Sequence, residues 1–374
     1  MRGTGRGGLF GAGTRAGQLN RRGLLLGAGA AGLAGLAAGC SGGGAGGGGR
    51  SLRVSSYGGN FEQALRDHVY PVFTEATGIR VDSIPQPAGL QFLLQLIEAN
   101  RAGQAPMDLC ISAPVDVMRG GAAGLWRTRD AAAIPNLANL PDAYVSRTPE
   151  GVAAVGCIGW YFTMVTDPKA ISPTPTSWTE LWAPQHRNAW GLAGTGAGPM
   201  FEVTAATYFD GPQMLTSEAG IRECVAKMAG LKPNTKLWWE SEGTMQTALE
   251  NGEVQGGVYF ADVAETLRAS GASIEVVFPK EGPVIDFGSW CQPTASTKTA
   301  EADAFIDFMI SPQAQELIAK QMHAPPLIRG ELLDLDPATR AGLALQTTPI
   351  AINLEARRLH LDLMVTEFNK MLAS

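Results

Sequence analysis

Residues 52–84 read LRVSSYGGNFEQALRDHVYPVFTEATGIRVDSI. Phe61, Leu65, Val69, Val72, Phe73 and Ala76 recur at the 3.6-residue spacing that gives a helix one buried face. The reading is therefore a strand over 52–55, a helix over 60–76 and a strand over 79–84. Asn60 with Gln63 three residues later has the form of a capping box, placed just after Gly58 and Gly59. Pro71 is expected to kink the helix because it removes a backbone donor. His68 lies beside the apolar stripe and is expected to be partly buried. A helix over 90–102 and a strand over 107–112 continue the alternation, which implies parallel βαβ units.

A second alternation follows an apolar crossing at 156–166. Its strands are expected at 190–193, 254–259 and 273–278, with helices at 200–209 and 217–230. Residues 287–293 read as a return crossing. Two amphipathic helices come next, with Phe305, Phe308, Met309, Leu317 and Ile318 on their apolar faces. The layout is α/β, two lobes joined by more than one strand.

The first 49 residues differ in kind: they hold 20 of the 47 glycines, five Arg and no acid. Arg21 and Arg22 precede an uncharged run from Gly23 to Ala38 that is too short and glycine-rich to span a bilayer, which needs about 20 apolar residues. It reads as a signal segment over 1–39, and the adjacent arginines resemble a twin-arginine export signal. Ala37-Ala38-Gly39-Cys40 looks like a lipobox, making Cys40 the expected lipidation site, and residues 40–50 read as a glycine-rich tether. Without residues 1–39, 24 Lys and Arg face 35 Asp and Glu, a formal net charge of −11. That balance argues against a nucleic-acid surface, which needs clustered cations, and it permits a cationic ligand.

Cys110, Cys157, Cys224 and Cys291 show no metal-type spacing, so no metal or other cofactor is expected. They allow three disulfide connectivities or four buried thiols. Four His without HExxH, and Ser without a GxSxG elbow, give no positive sign of catalysis. An exported enzyme on the same scaffold is the remote alternative.

Tyr57-Gly58-Gly59-Asn60-Phe61, Phe73-Thr74-Glu75-Ala76-Thr77-Gly78-Ile79, Asp108-Leu109, Ser177-Trp178-Thr179-Glu180-Leu181-Trp182, Phe278-Pro279-Lys280-Glu281-Gly282 and Phe305-Ile306-Asp307-Phe308-Met309 fall in one collinear order. In that order they resemble the polyamine-type extracellular solute-binding proteins of ABC transporters. The resemblance implies a type II periplasmic-binding-protein fold, with a multi-strand hinge and a ligand cleft between two lobes. Lobe 1 is expected at 51–158 and 288–330, and lobe 2 at 159–287 and 331–374. It also implies a small-molecule solute, ABC permease subunits as partners, a monomer, and a location in the periplasm or at a lipid anchor on the outer face of the cytoplasmic membrane.

The candidate ligand contacts follow. Tyr57 and Gly58 end the first strand, where an aromatic face suits an ammonium or a methylene chain; the alternative for Tyr57 is a core tyrosine. Ser112 ends the third strand and either meets a ligand or caps the next helix. Thr195 and Gly196 lie in the Gly194–Gly198 turn, an anion-friendly corner. Trp238, Ser241 and Glu242 precede a short helix, one tryptophan of the Trp238-Trp239 pair being expected in the core. Tyr259 and Asp262 follow a strand, with helix capping as the alternative for Asp262. Asp286 stands before the return crossing, and Trp160 in the first crossing is either a cleft or a hinge-packing residue. A polyamine or related amine is the preferred solute. An anionic or zwitterionic one, such as a phosphonate or an amino acid, is the alternative.

Overall fold

A computed structural model describes residues 50–87, 90–196, 198–345 and 347–374. The expected signal segment, Cys40 and most of the tether lie outside the described residues. Eleven strands form one sheet: β1 (Ser51–Ser56), β2 (Arg80–Pro85), β3 (Leu109–Ser112), β4 (Val145–Thr148), β5 (Gly151–Thr166), β6 (Trp190–Ala193), β7 (Thr235–Trp239), β8 (Gly256–Phe260), β9 (Glu275–Val277), β10 (Val284–Cys291) and β11 (Ile350–Ala351). The helices are α1 (Gly59–Ala64), α2 (Tyr70–Thr77), α3 (Leu90–Arg101), α4 (Pro114–Ala122), α5 (Met200–Tyr208), α6 (Glu218–Met228), α7 (Glu242–Glu250), α8 (Ala261–Ala269), α9 (Thr299–Met309), α10 (Pro312–Met322), α11 (Pro337–Gly342) and α12 (Leu354–Ala373).

The strand order is β2-β1-β3-β10-β5-β8-β6-β7. Its two ends are parallel, β1 with β2 and β3, and β6 with β7 and β8. Between them β10 and β5 run antiparallel to each other and to their outer neighbours. The expected α/β architecture with more than one connecting strand is therefore present.

Two large apolar clusters divide along the connecting strands. In β5, Val155, Ile158 and Tyr161 belong to the first cluster and Phe162, Met164 and Val165 to the second; in β10 the change falls between Val284 and Ile285. Leu333, Leu335 and Leu343 pack in the first cluster and Ile350 in the second. The segments Ser177–Trp182 and Pro279–Gly282 dock on each other: Trp178 Nε1 donates to the Gly282 carbonyl at 2.8 Å and the Trp178 amide to Glu281 Oε2 at 3.2 Å.

Several local expectations are corrected. Helix α1 begins at Gly59 with Gly58 as its N-cap, so Asn60 lies inside the helix and not at the cap position; Gln63 donates forward to Asp67 at 2.8 Å. Gly58 adopts φ 78°, a conformation open to glycine and strained for other residues. Near Pro71 the helix is irregular: a π turn over Leu65–Val69 precedes the proline. His68 is exposed, while Leu65 and Val69 of the same turn are buried. Strand β7 and helix α12 were not anticipated, because their apolar residues follow no clean period. All four described cysteines are free and buried.

The second half of the sheet depends on close backbone approach at the β6–β8 pair. Gly257 holds φ 153°, and a Cβ there would lie 1.8 Å from the Gly191 carbonyl oxygen. Gly257→Ala is expected to destabilise the chain by about 3 kcal/mol or more, read as a lower urea midpoint with an unchanged slope.

Candidate functional site

Strand register assembles the site. Asp286 of β10 is the direct partner of Trp160 in β5, so both side chains share one face of the sheet. On the other side of β5, Phe260 is paired with Phe162. The β8 ladder ends there, and two residues further the chain has entered α8 at Asp262.

Tyr57 closes the constellation from the end of β1. Its ring stands edge-on to Trp160 with centroids 6.1 Å apart and 5.4 Å from the Phe61 ring. Its hydroxyl lies 3.3 Å from where a Cβ on Gly288 would stand, two residues along β10 from Asp286. The room that Gly288 leaves is taken first by Ile111, whose Cδ1 would lie 2.5 Å from that Cβ. The ring is 39% exposed. Burial of the hydroxyl end, then the Asp286 carboxylate, pushes the phenol well above its ordinary value.

Both carboxyls are under electrostatic tension. Burial pushes Asp286 up to about 7, opposed by the Phe287 amide, which donates to its Oδ1 at 2.8 Å, and by the Arg357 guanidinium. Burial pushes Asp262 up to about 6 against the helpful amides of α8, and Glu242 raises it further. Asp262 Oδ1 is buried with no hydrogen-bond partner among the described residues. Such groups gain from a cation that replaces lost water.

The remaining candidates are placed as follows. Ser112 does not cap α4, whose N-cap is Ala113; its Oγ is 3.8 Å from Cys110 Sγ. Asp262 does not cap α8, whose N-cap is Phe260. Ser241 caps α7, accepting from the Thr244 amide at 3.3 Å, with Glu242 exposed in the first turn and raised by desolvation. Tyr259 is fully buried and donates to the Glu242 carbonyl at 3.1 Å. Trp239 is the core tryptophan of its pair, donating to the Val258 carbonyl at 3.2 Å, while half-buried Trp238 meets Phe368 of α12 edge-on.

Thr195 is exposed, but Gly196 packs under α12, where its Cβ would stand 2.5 Å from Val365 Cα. Just beyond, Glu202 of α5 and Arg357 of α12 form a fully buried pair at 2.8 Å, and Arg357 also donates to the Gly198 carbonyl at 3.0 Å. The cation that this corner would offer an anion is thus already engaged. Gly288 and the Arg357–Glu202 pair were missed from sequence, since only the register and the packing of α12 bring them beside Asp286.

A family profile described as "Bacterial extracellular solute-binding protein" matches residues 71–341. The spermidine/putrescine-binding periplasmic protein of Salmonella typhimurium is 25% identical over 256 residues, covering 68% of this chain and 72% of that protein. Among solved structures, the spermidine/putrescine ABC transporter substrate-binding protein of Streptococcus pneumoniae superposes with a TM-score of 0.65 at 19% identity, over 86% of this chain and 99% of that one. A binding protein from A. tumefaciens in complex with glucopine does so at 0.69 and 16% identity, over 86% and 99%. These neighbours share the two-lobed fold and carry different solutes. With its family profile spanning most of the body and its two parallel halves sewn by antiparallel crossing strands, this chain belongs to the bacterial extracellular solute-binding protein family, as a binding component of an ABC transporter and not an enzyme.

Proposed function

We propose that the chain binds a polyamine or related amine between two lobes that meet at the crossings of β5 and β10, and delivers it to the permease. The observation that carries this reading is the pairing of Asp286 with Trp160 across β10 and β5, beside a second buried carboxyl, Asp262, whose Oδ1 has no hydrogen-bond partner among the described residues. An ammonium at each carboxylate, with methylenes across the Tyr57 and Trp160 rings, satisfies the charges and the apolar faces together. The curated relatives named for spermidine and putrescine support the same class.

The proposal includes an export signal at 1–39 and a lipid on Cys40 with residues 40–50 as its tether. Intact mass and metabolic lipid labelling of the chain from its native host test this. An anionic or zwitterionic solute is the second reading, supported by a solved neighbour named as a GABA receptor.

Thermal unfolding against putrescine, spermidine, amino acids and phosphonates separates the two. A ligand at about 100 times its Kd adds roughly 2.7 kcal/mol and a visible rise in Tm. The expected result is a rise with the amines; a rise with phosphonates or amino acids alone overturns the amine reading.

A further inference from the structure

Cys110 in β3 and Cys291 in β10 are direct partners across an antiparallel ladder. Both are fully buried and sit in one small apolar cluster with Leu93, Leu96, Val117 and Trp126. Directly opposed residues in such a ladder share a face, with Cα atoms about 4.5 to 5.5 Å apart. A disulfide spans Cα atoms about 4.4 to 6.8 Å apart, so this register meets its requirement without moving the backbone. Cys110 Sγ already lies 3.8 Å from the Cys291 carbonyl oxygen.

The other two thiols are held elsewhere. Cys157 lies at the irregularity of β5 opposite Gly288 and Ser289, packs in the first large cluster and directs its Sγ to the Gly288 carbonyl at 3.6 Å. Cys224 of α6 is in the second cluster, with its Sγ 3.5 Å from the Phe201 carbonyl. Of the connectivities that four cysteines allow, the sheet supports a single bridge.

We infer that Cys110 and Cys291 form a cross-strand disulfide when the chain folds outside the cytoplasm. The location rests on the export reading above; the pairing rests on the sheet register alone. The oxidant is a disulfide of a protein or of glutathione. One cysteine thiolate attacks it to give a mixed disulfide, the second displaces the reduced carrier, and two electrons and two protons leave with the carrier. The exchange belongs to folding, before β10 docks on β3, because in the folded chain both thiols are sealed from solvent and burial pushes Cys110 up to about 12. The bridge would tie the return strand to β3 beside Ser112 and leave the crossing at Val284–Ile285 free to bend.

The test uses the full chain, unfolded in guanidinium chloride with dithiothreitol and refolded in a glutathione redox buffer. Maleimide labelling after denaturation should then modify three of the five cysteines, and non-reduced peptide mapping should recover one linked pair, 110 with 291. Five labelled thiols, or a different linked pair, would overturn the pairing. The Cys157→Ser/Cys224→Ser variant should keep the link and its loss of Tm on reduction, whereas Cys110→Ser/Cys291→Ser should have a Tm indifferent to reductant. The same map on chain recovered from its native host isolates the location: a linked pair after refolding but free thiols in the cell overturns the export reading alone.

Discussion

Spermidine affinity is expected to fall roughly a hundred-fold between pH 8 and pH 5. A carboxyl with its pKa at about 7, as burial sets Asp286, is roughly 1% ionised two units lower, and the apparent Kd rises in inverse proportion to the competent fraction. Asp262, at about 6, adds to the loss over the lower part of the same range. Stability of the unliganded chain should move the opposite way. An aspartate in the unfolded chain titrates near 3.9, so the folded state retains protons that the unfolded state has released. The stability that this retention represents is present below about pH 4 and is lost as pH rises through 6 and 7.

For Asp286 the loss is about 4 kcal/mol as an order of magnitude. Asp286→Asn should therefore stabilise the empty protein near pH 8 while weakening spermidine binding by roughly a hundred-fold or more. Calorimetric titration and thermal unfolding, each run from pH 5 to 8 on both proteins, give the two readouts. An affinity independent of pH would remove the two carboxylates from the site.

Arg357→Met is expected to destabilise the fold by about 3 to 5 kcal/mol, because it leaves Glu202 charged and unpaired in a fully buried position. Glu202 is already raised by burial, and Arg357 opposes that rise. The double variant Glu202→Gln/Arg357→Met removes the stranded charge and should recover much of the loss, as seen in urea unfolding. The single variant also reaches the cleft: Arg357 lowers Asp286 and Glu202 raises it, so loss of the arginine alone should lift the pH at which amine affinity fails. A merely structural role for Arg357 would leave that pH unchanged.

The parallel units were legible because the stripe from Phe61 to Phe73 and the short apolar strands have clear periods. Strand β7 was not, since Trp238 and Trp239 stand side by side and show no alternation. Helix α12 was not either: it breaks at His360, where φ is −136°, and its buried residues follow two phases. Residue type at the strand ends made Tyr57, Asp262 and Asp286 candidates; the pairing of Trp160 with Asp286 was hidden because it joins strands more than 100 residues apart. Tyr259 illustrates the converse: an aromatic at a strand end suggests a cleft wall, yet its hydroxyl is committed to the Glu242 carbonyl inside the core. For Asp262 and Ser112 capping was one of two readings, and backbone geometry gives that role to Phe260 and Ala113.

The place of β10 between β3 and β5 also governs the order in which the molecule can be made. Residues 51–166 supply β1 to β5, but no ladder joins β3 to β5 until the segment beginning at Val284 arrives. The first half of the sheet therefore stays open while the whole of the second half is synthesised. Closing it links segments more than 170 residues apart, a contact of the kind that slows folding. Its native ladder is incomplete for most of translation, leaving a long interval in which secretion factors and chaperones, rather than the native contacts, decide the fate of the chain.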